Sequence, residues 1–141
     1  AITGGAPVFL DCRIASNRSD NIGGGVLAKE SHPLFIRCRI TGNTSPCGGG
    51  FYIWHDCLPT FESCEFTDNA ALLSGGGIFN WKSDPVLNGC RFSGNRSPIG
   101  SAICNLSGVP SMRDTSFEAD QQVKHAQADP LLKTPTDSHT P

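Results

Sequence analysis

The groups in this 141-residue chain whose types could do chemistry are seven cysteines, four histidines and a scatter of arginines and carboxylates. Thiolates bind soft metals and attack sulfur or carbon, and two thiols close together can form a disulfide. The spacing argues against a metal. No Cys-x-x-Cys pair occurs, His32, His55, His125 and His139 are scattered, and no Gly/Asp calcium nonapeptide is present, so the sequence predicts neither metal nor cofactor. Four of the cysteines follow a different rule. Cys12, Cys38, Cys64 and Cys90 recur every 26 residues, with Thr115 in the fifth place. Asn17, Asn43, Asn69 and Asn95 keep the same interval and lead to Asp120, and Pro7, Pro33, Pro59, Pro85 and Pro110 follow it at steps of 26, 26, 26 and 25.

A period in this range is the mark of a solenoid, in which residues one lap apart become neighbours along the axis. The thiols then form one internal column with a spacing of about 4.8 Å. A small buried hydrophobe suits such a column, which makes free thiols the expected state there. Cys47, Cys57 and Cys104 lie off the column, and the spacing leaves their redox state open. The asparagine column reads as structural, its buried amides bonding to each other and to the turns they sit in.

Each lap reads as three short strands. Phe9, Cys12, Ile14 and Asn17 set a pattern repeated by Phe35, Cys38, Ile40 and Asn43, and then twice more. The Cys-x-Ile alternation puts both side chains on one face of a strand. The two-residue gap before each cysteine breaks that alternation and predicts a bend. Glycine triplets at 23–25, 48–50 and 75–77, degenerate at Gly100-Ser101-Ala102, turn the chain into a third strand led by Val26, Phe51, Ile78 and Ile103. The resulting prediction is an all-β parallel β-helix over residues 1–120, with coils starting near residues 7, 33, 59, 85 and 110. Residues 121–141 read as an irregular cap or tail, with a short helix over 121–128. Ala1 falls where Leu27 stands one lap later, so the sequence starts in mid-repeat. That predicts either a longer parent protein or an open first coil that associates end to end. A leucine-rich-repeat-like solenoid is the rival fold, but it needs an apolar residue two places after each asparagine. Ser19, Ser45, Ala71 and Ser97 stand there.

The pattern resembles the right-handed parallel β-helix of the pectate-lyase-like superfamily, and more closely the short repeats of chlamydial polymorphic outer-membrane proteins and other bacterial surface proteins. Those repeats pair a Phe-x-x-Asn element, here Phe66 to Asn69 and Phe92 to Asn95, with a Gly-Gly-Ala-Ile element, here Gly76-Gly77-Ile78 and Ser101-Ala102-Ile103. The resemblance implies a secreted or surface-displayed module, adhesin-like or glycan-related.

Composition excludes some classes. The net charge of −2 with no basic run offers nothing to nucleic acid. No window approaches the ~18 apolar residues of a membrane-spanning helix, and the first residues lack a secretion signal. Two surfaces could carry function. One is the outer face of the second-strand region, with Asp11, Arg13, Arg37, Arg39, Glu62, Glu65 and Arg91. Pectate-lyase-like enzymes place such groups beside uronates, which makes a fragment of a polysaccharide-acting enzyme the alternative function. The other is the outer side of the third strand, where Tyr52, Trp54, Phe79 and Trp81 would form an exposed aromatic patch edged by His55, Asp56, Lys82 and Asp84. Pro130, Leu131 and Leu132 are the candidates to cover it. The sequence therefore predicts a non-catalytic binding or display module that meets a protein or a glycan through this patch.

Overall fold

The computed structural model describes residues 1–126, and the described residues form a parallel β-helix. Proline-led strands Val8–Leu10, Leu34–Ile36, Thr60–Glu62, Val86–Asn88 and Ser111–Arg113 make the first sheet. Strands Arg13–Ala15, Arg39–Thr41, Glu65–Thr67, Arg91–Ser93 and Ser116–Phe117 make the second. The third runs from Ile2–Thr3 through Val26–Lys29, Phe51–Ile53, Ile78–Trp81 and Ile103–Leu106 to Val123–Ala126. All pairs are parallel and in register, so Phe9, Phe35, Phe61, Leu87 and Met112 stack as one row. Ile14, Ile40, Phe66, Phe92 and Phe117 make another. The coil-to-coil step lets rings lie face to face: Phe9 and Phe35 are 4.5 Å apart between centroids, and Phe66 and Phe92 are 4.7 Å apart.

The expected bend before each cysteine is present and has one cause. Asp11, Arg37, Ser63, Gly89 and Asp114 all adopt the left-handed conformation, with φ between 50° and 63°. That conformation is costly for a side-chain-bearing residue, so stacking must hold it there. The glycine triplet answers a different need. A Cβ on Gly49 would lie 2.4 Å from the Ala70 carbonyl oxygen and 2.6 Å from that of Gly76 in the next coil. In the fourth coil Ser101 and Ala102 replace glycine because the fifth rung leaves this corner out. The chain there passes directly through Gln122, whose carbonyl accepts from the Ala102 N–H.

Both internal columns form. Each asparagine Nδ2 donates at 3.0 Å to the Oδ1 of the asparagine one coil on, from Asn17 to Asn43, Asn43 to Asn69 and Asn69 to Asn95. The same Oδ1 accepts a backbone N–H, and from Asn43 onwards Nδ2 also donates to a carbonyl of the previous coil. The last rung is Gln121, not Asp120: its Oε1 accepts from Asn95 Nδ2 at 2.8 Å. A turn at Ala119 and Asp120 shifts the register by one and brings Gln121 into line. All seven thiols are free. Cys38, Cys64 and Cys90 each donate to the carbonyl of a residue one coil back, Phe9, Phe35 and Phe61, at 3.4 Å. Thr115 does the same toward Leu87.

One expectation needs correction, and two features add to the three-strand coils. Of the helix expected over 121–128, none forms within the described residues: Val123–Ala126 is a strand, because the open edge of Ile103–Leu106 offers backbone partners that a short isolated helix cannot match. The solenoid thus continues past residue 120. Cys57 is not stray. It belongs to a second column with Ser31 and Ser83, its Sγ donating to the Ala28 carbonyl at 3.4 Å while its N–H donates to Ser83 Oγ at 3.0 Å. The corner between the asparagine and glycine columns also pairs, with Thr44–Cys47 beside Ala70–Ser74, adding a short fourth strand to two coils.

Candidate functional site

The third strand alternates as expected. Val26, Phe51, Ile78 and Ile103 face the main core, and Leu27, Tyr52, Phe79 and Cys104 stand in register on the opposite side. This opposite side is not a solvent-facing patch. Tyr52 and Phe79 are 0% exposed and Trp54 is 4% exposed. They belong to a second apolar cluster, in which Ile22, Cys47 and Ile99 from the corner segments pack beside the strands. The tight glycine turn causes this, because it folds each corner back against the start of the strand that follows: a Cβ on Gly48 would touch the Tyr52 Cβ at 2.9 Å. Pro130, Leu131 and Leu132 lie outside the described residues.

The site residues converge at the far end of the strand. Tyr52 and Phe79 stack at 4.9 Å, and Trp54 meets Trp81 edge-on at 4.8 Å. Coil two carries one residue more than its neighbours between the third strand and the next proline. The added length sets the His55 ring 5.6 Å from Trp54 and 5.2 Å from Trp81. His55 Nδ1 lies 3.0 Å from the Asp56 carboxylate. Lys29 Nζ sits 5.4 Å from the Trp54 ring centre and Lys82 Nζ 5.7 Å from that of Trp81, both cation–π distances. Asp56 is in the left-handed conformation at φ 62°, and so is Lys82 at 52°. The turn therefore carries its charges outward while Trp81 stays half-buried beneath them. The arrangement offers an aromatic edge with two cations, an imidazole and a carboxylate within reach.

The outer charges of the first two sheets are largely engaged with each other. Asp11 pairs with Arg37 at 2.7 Å, Arg39 with Glu65 at 3.6 Å and Arg91 with Glu118 at 2.9 Å. The Arg37 guanidinium holds the Asp11 carboxyl below the usual carboxylate range. Pairs this exposed contribute little to stability. Five of the buried thiols are shifted the other way, while Cys90 is lowered by its hydrogen bond with Cys64. Burial raises Cys38, Cys47 and Cys57 and pushes Cys104 up to about 12, while Cys64 is raised by its hydrogen bond with Cys90 and then by burial. These thiols hold their protons and are poor nucleophiles and metal ligands at neutral pH.

Sequence reasoning passed over the corner segments, where Leu72 and Leu73 are exposed. The signal was present in the varying number of residues between each asparagine and its glycines. No curated protein and no solved structure matches the chain. One family model does, that of the right-handed β-helix region, over residues 2–123. Given that match and the stacked parallel sheets, the chain belongs to the right-handed β-helix family.

Proposed function

We propose that the chain is a non-catalytic binding or display module, and that its contact site is the end of the third strand around Trp81. The observation that carries this is the one-residue excess in coil two, which places His55 and Asp56 beside a half-buried tryptophan flanked by Lys82. An insertion that serves packing alone has no need to gather a cation, a carboxylate and an imidazole around an indole edge. Tyr52, Trp54 and Phe79 support the site from beneath. A sugar suits it, since a ring can lie on the indole while its hydroxyls meet His55, Asp56 and Lys82. A protein surface of matching chemistry is the other occupant. The repeat elements favour a place near the pectate-lyase-like and polymorphic outer-membrane groups, and with it a secreted or cell-surface location.

The chain has only two tryptophans, Trp54 and Trp81, and both are in the site. Its intrinsic fluorescence therefore reports on the site directly. Titration with neutral and acidic oligosaccharides is expected to give a saturable spectral change that Trp81→Ala abolishes. An unchanged spectrum across the panel removes the glycan. A change that survives Trp81→Ala removes the site.

A further inference from the structure

The corner between the asparagine and glycine columns has no part in that function. Its length alternates along the axis. Residues 18–22 and Ala70–Ser74 make corners of five residues, while Thr44–Cys47 and residues 96–99 make corners of four. The pairing shows where the extra residue goes. Ala71 is level with Ser45 and Ser74 with Cys47, so Leu72 and Leu73 stand opposite Pro46 alone. In the first coil Arg18 is level with Thr44 and Ile22 with Cys47, which leaves one residue too many between them. A strand carrying an extra residue arches outward. The face is therefore corrugated, and ridge, recess, ridge and recess follow one another from the first coil to the fourth.

Both recesses are present as cavities. One of about 280 Å³ lies over Pro46, between Asp20 and Leu72. Another of about 460 Å³ lies over Pro98, closed on its far side by Gln122 and Lys124. The ridges are open to solvent: Leu72 is 76% exposed, and the Asp20 side chain 91%.

We propose that this corrugated face joins two copies of the chain, packed antiparallel about a two-fold axis. A series of ridge, recess, ridge and recess is its own complement when the axis passes between the second and third corners. The operation then sets each first corner against the other copy's fourth, and each second against the other's third, so every ridge meets a recess. The chemistry matches along with the shape. Leu72 and Leu73 of one copy come to rest on Pro46 of the other, apolar on apolar. The first ridge, which carries Asp20 beside Arg18, meets the short corner that carries Arg96, a residue in the same axial row as Arg18, Thr44 and Ala70, so that Asp20 exchanges Arg18 for Arg96. Among the described residues Asp20 pairs only with Arg18, at 3.4 Å, and the pair is so exposed that exchanging it costs little. Adjacent exposed leucines ringed by polar groups are the usual core of a protein contact. Because the same patch serves both copies, association closes at two.

Sedimentation of the full chain over a range of concentrations tests this. The expected result is a closed monomer–dimer equilibrium, weakened about tenfold or more by Leu72→Glu. Asp20→Arg and Arg96→Asp are each expected to weaken it, and the two together to restore it. Circular dichroism melts identify any variant that has lost its fold. The proposal is overturned by a monomer at every concentration, by open-ended growth, or by a dimer indifferent to Leu72→Glu. A double charge exchange that fails to restore the dimer overturns it as well.

Discussion

Two amide columns run through this β-helix, and they are not equivalent. The first is Asn17, Asn43, Asn69, Asn95 and Gln121, in which each link repeats the last. The second begins apolar, with Ala28 and Ile53, and turns polar at Asn80, Asn105 and His125. Asn80 Nδ2 donates to Asn105 Oδ1 and to the Ser83 carbonyl, yet Asn80 Oδ1 is buried with no partner among the described residues. An amide presents two donors and an acceptor, and all are met only where the coils above and below present the same groups. A repeated residue is therefore a satisfied one. A polar residue that enters a column partway leaves a group unmatched, at a cost of about 1–3 kcal/mol.

The largest test of that contrast is Asn69→Asp. The carboxylate cannot donate to Asn95 Oδ1 or to the Ile40 carbonyl, and it carries charge into a fully buried position. A loss of about 3–5 kcal/mol in urea unfolding is expected. A loss below about 1 kcal/mol would show that the ladder is incidental.

Next comes the glycine corner, where the same logic acts through space rather than hydrogen bonds. Gly49→Ala should cost about 2–3 kcal/mol, because its methyl meets two carbonyl oxygens. Gly in place of Ala102, which stands one slot further on, level with Gly50 and Gly77 but with no glycine corner stacked above it, should cost about 1 kcal/mol or less. Equal effects in thermal melts would contradict the stacking account.

The buried thiols set the alkaline limit. The folded values of Cys38, Cys47, Cys57, Cys64 and Cys104 lie above the ordinary thiol value of 9.0, and Cys104 reaches about 12, whereas Cys90 is lowered by its hydrogen bond with Cys64. Between those limits the unfolded chain loses a proton that the folded chain keeps. Stability is therefore unaffected by these groups below about pH 9 and falls as pH rises through 9 toward 12, by up to about 1.4 kcal/mol per pH unit for each such thiol. Urea midpoints that stay flat over that range would refute the shift.

The smallest effect is expected for Cys64→Ser. Ser83 and Thr115 already perform the thiol's task with a hydroxyl, in the second column and at the fifth rung. The cost should be about 1 kcal/mol or less, measured by the same unfolding curves.

These columns explain what the sequence made legible. Where one chemical need recurs every lap, as at Cys38, Asn43 and Gly49, the residue recurs too, and the fold can be read from the interval. The bends at Asp11, Arg37 and Ser63 were legible as a broken alternation. Hidden features are those set by neighbours instead of by position in the lap. Tyr52 and Phe79 obey strand alternation, but whether their side of the sheet meets water depends on the corner segments beside it. Val123–Ala126 has the composition of a polar helix and becomes a strand because a strand edge is waiting for it. At the candidate site the individual residues were legible, while the clustering of His55 with Trp54 and Trp81 rests on how a one-residue excess bends the turn.

One measurement tests the central claim most directly: urea unfolding of Asn69→Leu beside Asn80→Leu. The same change is made in two buried amides, one in a repeated column and one in an unrepeated one. Asn69→Leu should lose about 3 kcal/mol, since it strands the Asn43 N–H, takes one of two acceptors from Asn43 Nδ2, and takes a side-chain donor from both the Asn95 Oδ1 and the Ile40 carbonyl. Asn80→Leu should lose less, about 1–2 kcal/mol: it takes the Asn80 donor from the Asn105 Oδ1, but it also removes an oxygen that had no partner and restores the apolar column of Ala28 and Ile53. Equal losses, or a greater loss at Asn80, would contradict the view that stacking of like on like holds this molecule together.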